Sequence, residues 1–422
     1  MSSPGGERRL TLRAGLMGRN PQGFLPVAMI IASSQFAWTS MIPLLPSYST
    51  SRGVDTAQVG AVIAGFGVGR LMVNLPAGLF AGRARALLAL GSGAIGVSVA
   101  TATASLVDSF IALITIRVVM GLAAGLALTC GLAIVGKLTD AGTRGRMVSK
   151  LQFIQLVGTT SGPVTGGLLA SRFGAEEALV ATGGVGVLVS LVAYQRARST
   201  PYHQREAAVG KSGRDRPDRK RHPVALGSLL AASGVGFAVF LARFGGEQTL
   251  IPLMGEDLGL DVSELGVLLS ALSLCQAAGV VINSRIYDRA PKKRVVIISL
   301  AILALAVLGV GLASTLAVFV LMAMLMGIAQ GFAVPASSAY LIDVTPRSQM
   351  GMAIGVYRTF GDTAAVLGPL AVGILIVAAG GQLAAAVLAG CVLAILVVFA
   401  RFAVEPDSTS LSDVREERHD GT

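Results

Sequence analysis

Only two carboxylates lie deep inside the apolar runs of this chain, Glu247 and Asp362, and each follows an arginine by four residues, Arg243 and Arg358. That spacing puts carboxylate and guanidinium on one face of a helix. The chemistry open to such a pair is narrow: it can hold a charge by ion pairing, or take up and release a proton as its surroundings change. Two further arginines, Arg70 and Arg117, also interrupt apolar runs. The three histidines, His203, His222 and His419, all fall in polar stretches, so proton traffic through imidazole is not expected. Cys130, Cys275 and Cys391 lie in separate apolar runs and suggest neither a disulfide framework nor a zinc site. A phosphate-cradling G-x-x-x-x-G-K-[ST] loop is absent, which disfavours nucleotide-driven work. No metal, cofactor or enzymatic constellation is expected.

The elements that must position these groups follow from composition. Of 422 residues, 53% are hydrophobic and 14% charged, with a mean hydropathy of +0.72. A soluble domain carries about 25% charged residues, so this chain cannot cover a water-facing surface and needs a bilayer as solvent. Runs of about 20 apolar residues cross a bilayer, and lipid forces their backbone bonds inside each segment, as helices. Twelve such spans are read at 24–46, 58–80, 86–107, 110–136, 151–170, 177–195, 225–252, 264–284, 295–313, 316–341, 352–378 and 383–403. The start of the chain is basic without a cleavable apolar core, so the first run is expected to stay as an anchor.

The charges between spans give an orientation. With both termini in the cytoplasm, the inside segments hold 28 Lys and Arg and the outside loops two, Arg52 and Arg172. This bias places the chain in the plasma (inner) membrane, multi-pass, with both termini cytoplasmic. The net charge of +11 is therefore topogenic. The basic loop near 211–221 lacks interleaved aromatics, so it suits anionic lipid rather than nucleic acid.

An offset of 206 residues lays the chain on itself without a gap. Pro46 falls on Pro252, Asp55 on Asp261, Gly60 on Gly266, Gly121 on Gly327, Gly162-Pro163 on Gly368-Pro369, and Gly167 on Gly373. These types are fixed by backbone geometry, so two copies of one architecture are expected. The organisation read is a tail 1–23, a six-helix half 24–195, a basic cytoplasmic linker 196–223, a second half 224–403 and a disordered cytoplasmic tail 404–422. Tandem repeats in so apolar a chain point to a transporter with its site between the halves. Under the offset, Glu247 and Asp362 fall on Met41 and Leu156, so coupling chemistry belongs to the second half.

Several segments carry a family resemblance. Gly158-Thr-Thr-Ser-Gly162-Pro163-Val-Thr-Gly166-Gly167 in the fifth span resembles the antiporter motif of the major facilitator superfamily. Its glycines at spacing four permit close helix approach, and Pro163 permits a bend. Arg117, Gly121 and Gly125 resemble that superfamily's fourth-helix pattern, and Thr143-Arg-Gly-Arg146 its entry to the fifth helix. The loop Ser284-Arg-Ile-Tyr-Asp288-Arg289-Ala-Pro-Lys292-Lys293-Arg294 follows the cytoplasmic loop motif. The matching loop Gly78-Leu-Phe-Ala-Gly82-Arg83-Ala-Arg85 has Gly82 where the motif has aspartate. The resemblance implies an all-α membrane fold of twelve helices in two six-helix pseudo-symmetric halves, working as a proton-coupled efflux antiporter by alternating access. It implies a cytoplasmic latch through Gly78, Arg83, Asp288 and Arg289, with the half at Gly82 missing.

In that family, spans 1, 4, 7 and 10 line the cavity. The resemblance thus marks Gln35, Phe36, Trp38, Met41, Met120, Phe240, Phe244, Gln248, Met326, Gln330 and Phe332, a set that suits an amphipathic ligand. Asp362 lies about 15 Å into its span by helical rise, near the midplane, and is read as the proton carrier. Arg70 reaches a similar depth from the opposite side, so Asp362 is expected to alternate between Arg358 and Arg70. Arg243 and Glu247 are read as an outer-gate or structural pair, with Glu247 the alternative carrier. The expected partners are an apolar or cationic drug-like molecule, protons and membrane lipids, and a monomer is expected. Export of a sugar, amino acid or lipid-linked metabolite is the alternative, and a membrane sensor or enzyme on a transporter scaffold a remote one.

Overall fold

The computed structural model describes residues 23–81, 85–138, 144–200, 226–286, 292–345 and 350–403, and these are helical nearly throughout. The α-helices are α1 (Phe24–Ser40), α2 (Leu45–Thr50), α3 (Thr56–Ala81), α4 (Ala86–Thr103), α5 (Phe110–Leu138), α6 (Arg144–Phe173) and α7 (Ala175–Arg198). After them come α8 (Leu226–Leu241), α9 (Ile251–Asp257), α10 (Val262–Ile286), α11 (Lys292–Gly311), α12 (Leu316–Val344) and α13 (Met350–Phe402). A short 3₁₀ turn, Ile42–Leu44, joins α1 to α2, and a π-helical segment, Ala242–Leu250, joins α8 to α9.

Among the described residues, nine helical stretches are long and apolar enough to cross a membrane. Two of the expected spans fall outside this set. In α3 the count rests on Gln58–Val73 alone, and α6 carries Lys150, Gln152 and Gln155 along its first turns. The stretch Met352–Phe402 runs 51 residues, which as one straight helix would be about 77 Å, more than twice the hydrocarbon thickness. Gly380, at φ 84° and ψ 165°, breaks it in two. Only glycine takes that conformation without strain.

Turn geometry follows the 206-residue offset. Gly174, with φ 104°, falls on Gly380, and Gly53, with φ 72°, falls on Gly259, with φ 84°. The helix starts repeat as well. The Asp55 amide donates to Gln58 Oε1 at 3.2 Å, and the Asp261 amide donates to Glu264 Oε2 at 2.9 Å. The Glu264 amide returns a bond to Asp261 Oδ1 at 2.8 Å, completing a reciprocal cap that satisfies two orphan donors.

Packing shows the same correspondence. Helix α3 lies on α5 as α10 lies on α12, and α4 lies on α5 as α11 lies on α12. The most extensive contacts joining the first seven helices to the rest are α3 with α13 and α6 with α10. Each crosses at a glycine. A Cβ on Gly60 would strike the carbonyl oxygen of Pro369, with Gly373 Cα at 3.1 Å. A Cβ on Gly266 would strike the carbonyl oxygen of Pro163, with Gly167 Cα at 3.2 Å.

Large apolar side chains are buried between helices, among them Phe66, Phe244, Phe319 and Phe399. Others, including Leu106, Ile111, Phe173 and Val377, stand fully outward, where a lipid phase would cover them. The expected tails lie outside the described residues. So does the linker read at 196–223, apart from its first residues, which extend α7 to Arg198.

Candidate functional site

Arg70 on α3 and Asp362 on α13 meet across the Gly60 crossing, with Arg70 Nη2 3.0 Å from Asp362 Oδ1. Both helices must come close for this, and Gly67 allows it: a Cβ there would lie 2.7 Å from the carbonyl of Ala365. Asp362 is 1% exposed and Arg70 keeps 18% of its side-chain surface open. Arg358, one helical turn before Asp362, acts electrostatically on both. The guanidinium of Arg70 also stands 6.0 Å from the centre of the Phe240 ring.

Beside this pair is a cavity of about 190 Å³ lined by Gln35, Trp38, Phe66, Arg70, Phe240, Arg243 and Phe244, among others. A second cavity of about 360 Å³ adjoins it through Gln35, Gln155 and Arg243, and adds Gln152, Gln276 and Pro335. An aromatic stack lines the smaller cavity. Trp38 and Phe66 lie 4.7 Å apart at 23°, and Phe244 stacks on both, at 6.5 and 6.3 Å.

Phe244 and Arg243 are placed by the π-helical segment. Its wider turn shows in Thr249 Oγ1 donating to the Phe244 carbonyl five residues back, at 2.7 Å. The local cause is Gly245-Gly246 within a polar run, where Gly245 lies against Gly368 of α13 and Gly246 against Met326 of α12. Such segments recur at functional sites in membrane and soluble helices. The segment changes the reading of Arg243 and Glu247. They form no ion pair within 4.0 Å. Arg243 points to the cavity, while Glu247 is 6% exposed beside Gln330. Gln248 is buried with no hydrogen bond to its amide.

Arg117 is fully buried on α5. Its Nε donates to the Val62 carbonyl at 3.3 Å, Nη1 lies 3.5 Å from Met120 Sδ, and its charge lies 5.1 Å from the centre of the Phe66 ring.

Of the residues marked from sequence, Gln35, Trp38, Phe240 and Phe244 line the smaller cavity. Met41, Met120 and Met326 are packed in the core, and Phe36 and Phe332 are partly buried outside both cavities. Gly158, Gly162 and Gly166 face α1, where added Cβ atoms would strike Ala32, Phe36 and Ser40, while Gly167 faces α10. Gly78 lies within α3, and Arg83, Asp288 and Arg289 lie outside the described residues. Phe66, Gln155 and Gln276 were missed by the sequence. Polar residues in spans 5 and 8 were the available signal. Among the described residues, no cluster of His, Cys, Asp and Glu could hold a metal ion.

The profile of the Major Facilitator Superfamily matches residues 27–247 and again 235–420. The chain belongs to the Major Facilitator Superfamily. As a member it is a secondary transporter in a multi-pass membrane fold. It is 27% identical to the uncharacterized MFS-type transporter YuxJ of Bacillus subtilis, covering 80% of this chain and 87% of that one. It is 28% identical to the probable sulfoacetate transporter SauU of Cupriavidus necator over 39% of each chain. It is 30% identical to the multidrug resistance protein MdtG of Citrobacter koseri, over 35% of this chain and 37% of that one. The matches to SauU and MdtG thus span well under half of those transporters. Among solved structures, a bacterial homologue of the human lysosomal transporter Spinster superposes with a TM-score of 0.69 at 17% identity, over 90% of both chains. A POT family transporter superposes at 0.74 with 13% identity, over 90% of this chain and 96% of that one.

Proposed function

We propose that this transporter crosses the membrane twelve times as two six-helix halves, with both termini in the cytoplasm of the inner membrane, and exports a small amphipathic molecule in exchange for protons. The observation that carries the reading is the Arg70–Asp362 pair, a buried carboxylate whose partner belongs to the other half. Rocking of the halves must separate α3 from α13 at this depth. The carboxylate then loses a counter-charge in a medium that solvates ions poorly, and binding a proton removes the uncompensated charge. Return of Arg70 expels the proton. The repeated glycine crossings support the alternating motion, because Gly60 with Pro369 and Gly266 with Pro163 form equivalent close contacts between the halves. The antiporter-type glycines on α6 and the likeness to a multidrug resistance protein support export.

The test is transport by the purified protein in liposomes with an entrapped pH dye. An imposed pH gradient is expected to drive a substrate against its concentration gradient, with a matching proton flux. Substrate movement that ignores the gradient would refute proton coupling and leave a facilitator.

A further inference from the structure

The charges buried in the spans do not balance. Away from the helix ends, the described residues hold four guanidiniums, on Arg70, Arg117, Arg243 and Arg358, against the carboxylates of Glu247 and Asp362. Each has its own setting. Arg70 and Arg358 share Asp362. Arg117 is sealed in the core, over the Phe66 ring and away from the cavities. Arg243 lines both cavities, and no Asp or Glu lines either one. Glu247 is the nearest carboxylate on its own segment; it feels the charge of Arg243 from beyond ion-pair distance and sits beside Gln330. A guanidinium facing a cavity without a paired acid is a costly arrangement in a membrane interior, and a negative ligand relieves it.

The neighbouring groups extend this match. Gln155 Nε2 is a buried amide donor on the cavity wall with no hydrogen-bond partner. Gln276 lines the larger cavity as well and is 6% exposed. The Trp38, Phe66 and Phe244 stack lines the smaller, adjoining cavity together with Gln155 and Arg243. Arg243 and Gln155, shared by the two cavities, therefore offer a forked cation and an amide donor, which suit a planar or tetrahedral oxyanion. The stack in the smaller cavity offers ring faces, which suit an apolar body.

We propose that the substrate is an amphipathic organic anion whose carboxylate, sulfonate or phosphate group pairs with Arg243 and whose apolar body lies on the Trp38 stack. The assignment deepens the transport reading above and rests on it for what is moved, while the binding site itself can be tested apart from flux. It narrows the ligand class, since a cation would add a third unbalanced positive charge to the same interior.

Trp38 is the single tryptophan of the chain, so its fluorescence reports this cavity. Phenylbutyrate, phenylbutanol and phenylbutylamine, which share one apolar body, are titrated into the purified full-length protein. Saturable quenching by phenylbutyrate at least about tenfold tighter than by the other two is expected, the scale of one hydrogen-bonded charge pair. Arg243→Gln should abolish the preference for the acid over the alcohol, and Arg243→Lys should restore part of it. Tighter binding of the amine, absence of saturable acid binding, or an acid preference surviving in Arg243→Gln would overturn the proposal. Liposome flux separates the two readings. Phenylbutyrate binding with no pH-driven movement of any compound sinks the transport reading and leaves the site. Gradient-driven movement of the amine without acid binding sinks the site and leaves the transport.

Discussion

Arg70 and Asp362 come from helices whose starts are almost 300 positions apart, about 294 by the helix bounds, yet their charged atoms are 3.0 Å apart in the interior of the protein. The pair ties α3 to α13, the two helices that also meet at Gly60 and Pro369. Removing one member strands the other. Arg70→Gln should destabilise the protein by about 3 kcal/mol, the low end for a broken buried pair because Arg70 keeps some exposure. The double variant Arg70→Gln/Asp362→Asn should recover most of that loss. Thermal unfolding of the four proteins in one detergent gives the coupling, and additive effects would mean that the pair contributes nothing to the fold.

The small residues of α6 supply the next prediction. Gly162 lies against α1, where an added Cβ would come within 2.8 Å of the Phe36 carbonyl and would also strike Thr39 Oγ1. Gly162→Leu should insert into the membrane at normal levels and lose transport at least about a hundredfold, because helix backbones in this contact cannot separate without moving the cavity wall. Wild-type flux from a correctly inserted variant would show that the close approach is dispensable.

The residues that sequence made legible are those whose type is dictated by backbone geometry. Asp55 and Asp261 stand at helix starts, and Gly60 and Gly266 sit where helices cross, so the 206-residue offset exposes them. Arg70 and Asp362 could be set at one depth because helical rise is constant. The cavity was less accessible. Its wall includes Gln155 and Gln276 from helices outside the set singled out, and their role depends on which neighbour leaves their amides unpaired. Arg243 was read by a 3.6-residue period, whereas the chain there forms a π-helix whose turn is wider. Nothing in a single residue type announces that change; the clue is Gly245-Gly246 beside a polar run.

The cap at the start of α10 gives a pH prediction. The Ser263 hydroxyl and the Glu264 amide both donate to Asp261, and these bonds hold its carboxyl below the usual carboxylate range. A group with a depressed folded pKa stabilises the protein above its unfolded pKa, and that contribution is lost as pH falls through the folded pKa. Asp261→Ala should therefore lower the Tm at neutral pH, and the difference from wild type should shrink on acidification below pH ~4. An undiminished gap in acid would remove the charged cap as its cause.

The orientation is open to a direct check. A reporter active only in the cytoplasm should work when fused after Arg214 and stay silent when fused near Asp257. The reverse pattern would contradict both the 28-to-2 distribution of basic residues and the twelve crossings proposed from it.

The central claim is that Asp362 carries the proton, and Asp362→Asn in proteoliposomes tests it most directly. The amide mimics the protonated acid, so the halves can still rock without a proton. The account predicts that the variant keeps exchange of labelled for unlabelled substrate across the bilayer, loses accumulation driven by a pH gradient, and no longer takes up or releases protons when substrate binds. Accumulation against a gradient with the wild-type pH profile would contradict the account and pass the carrier role to Glu247.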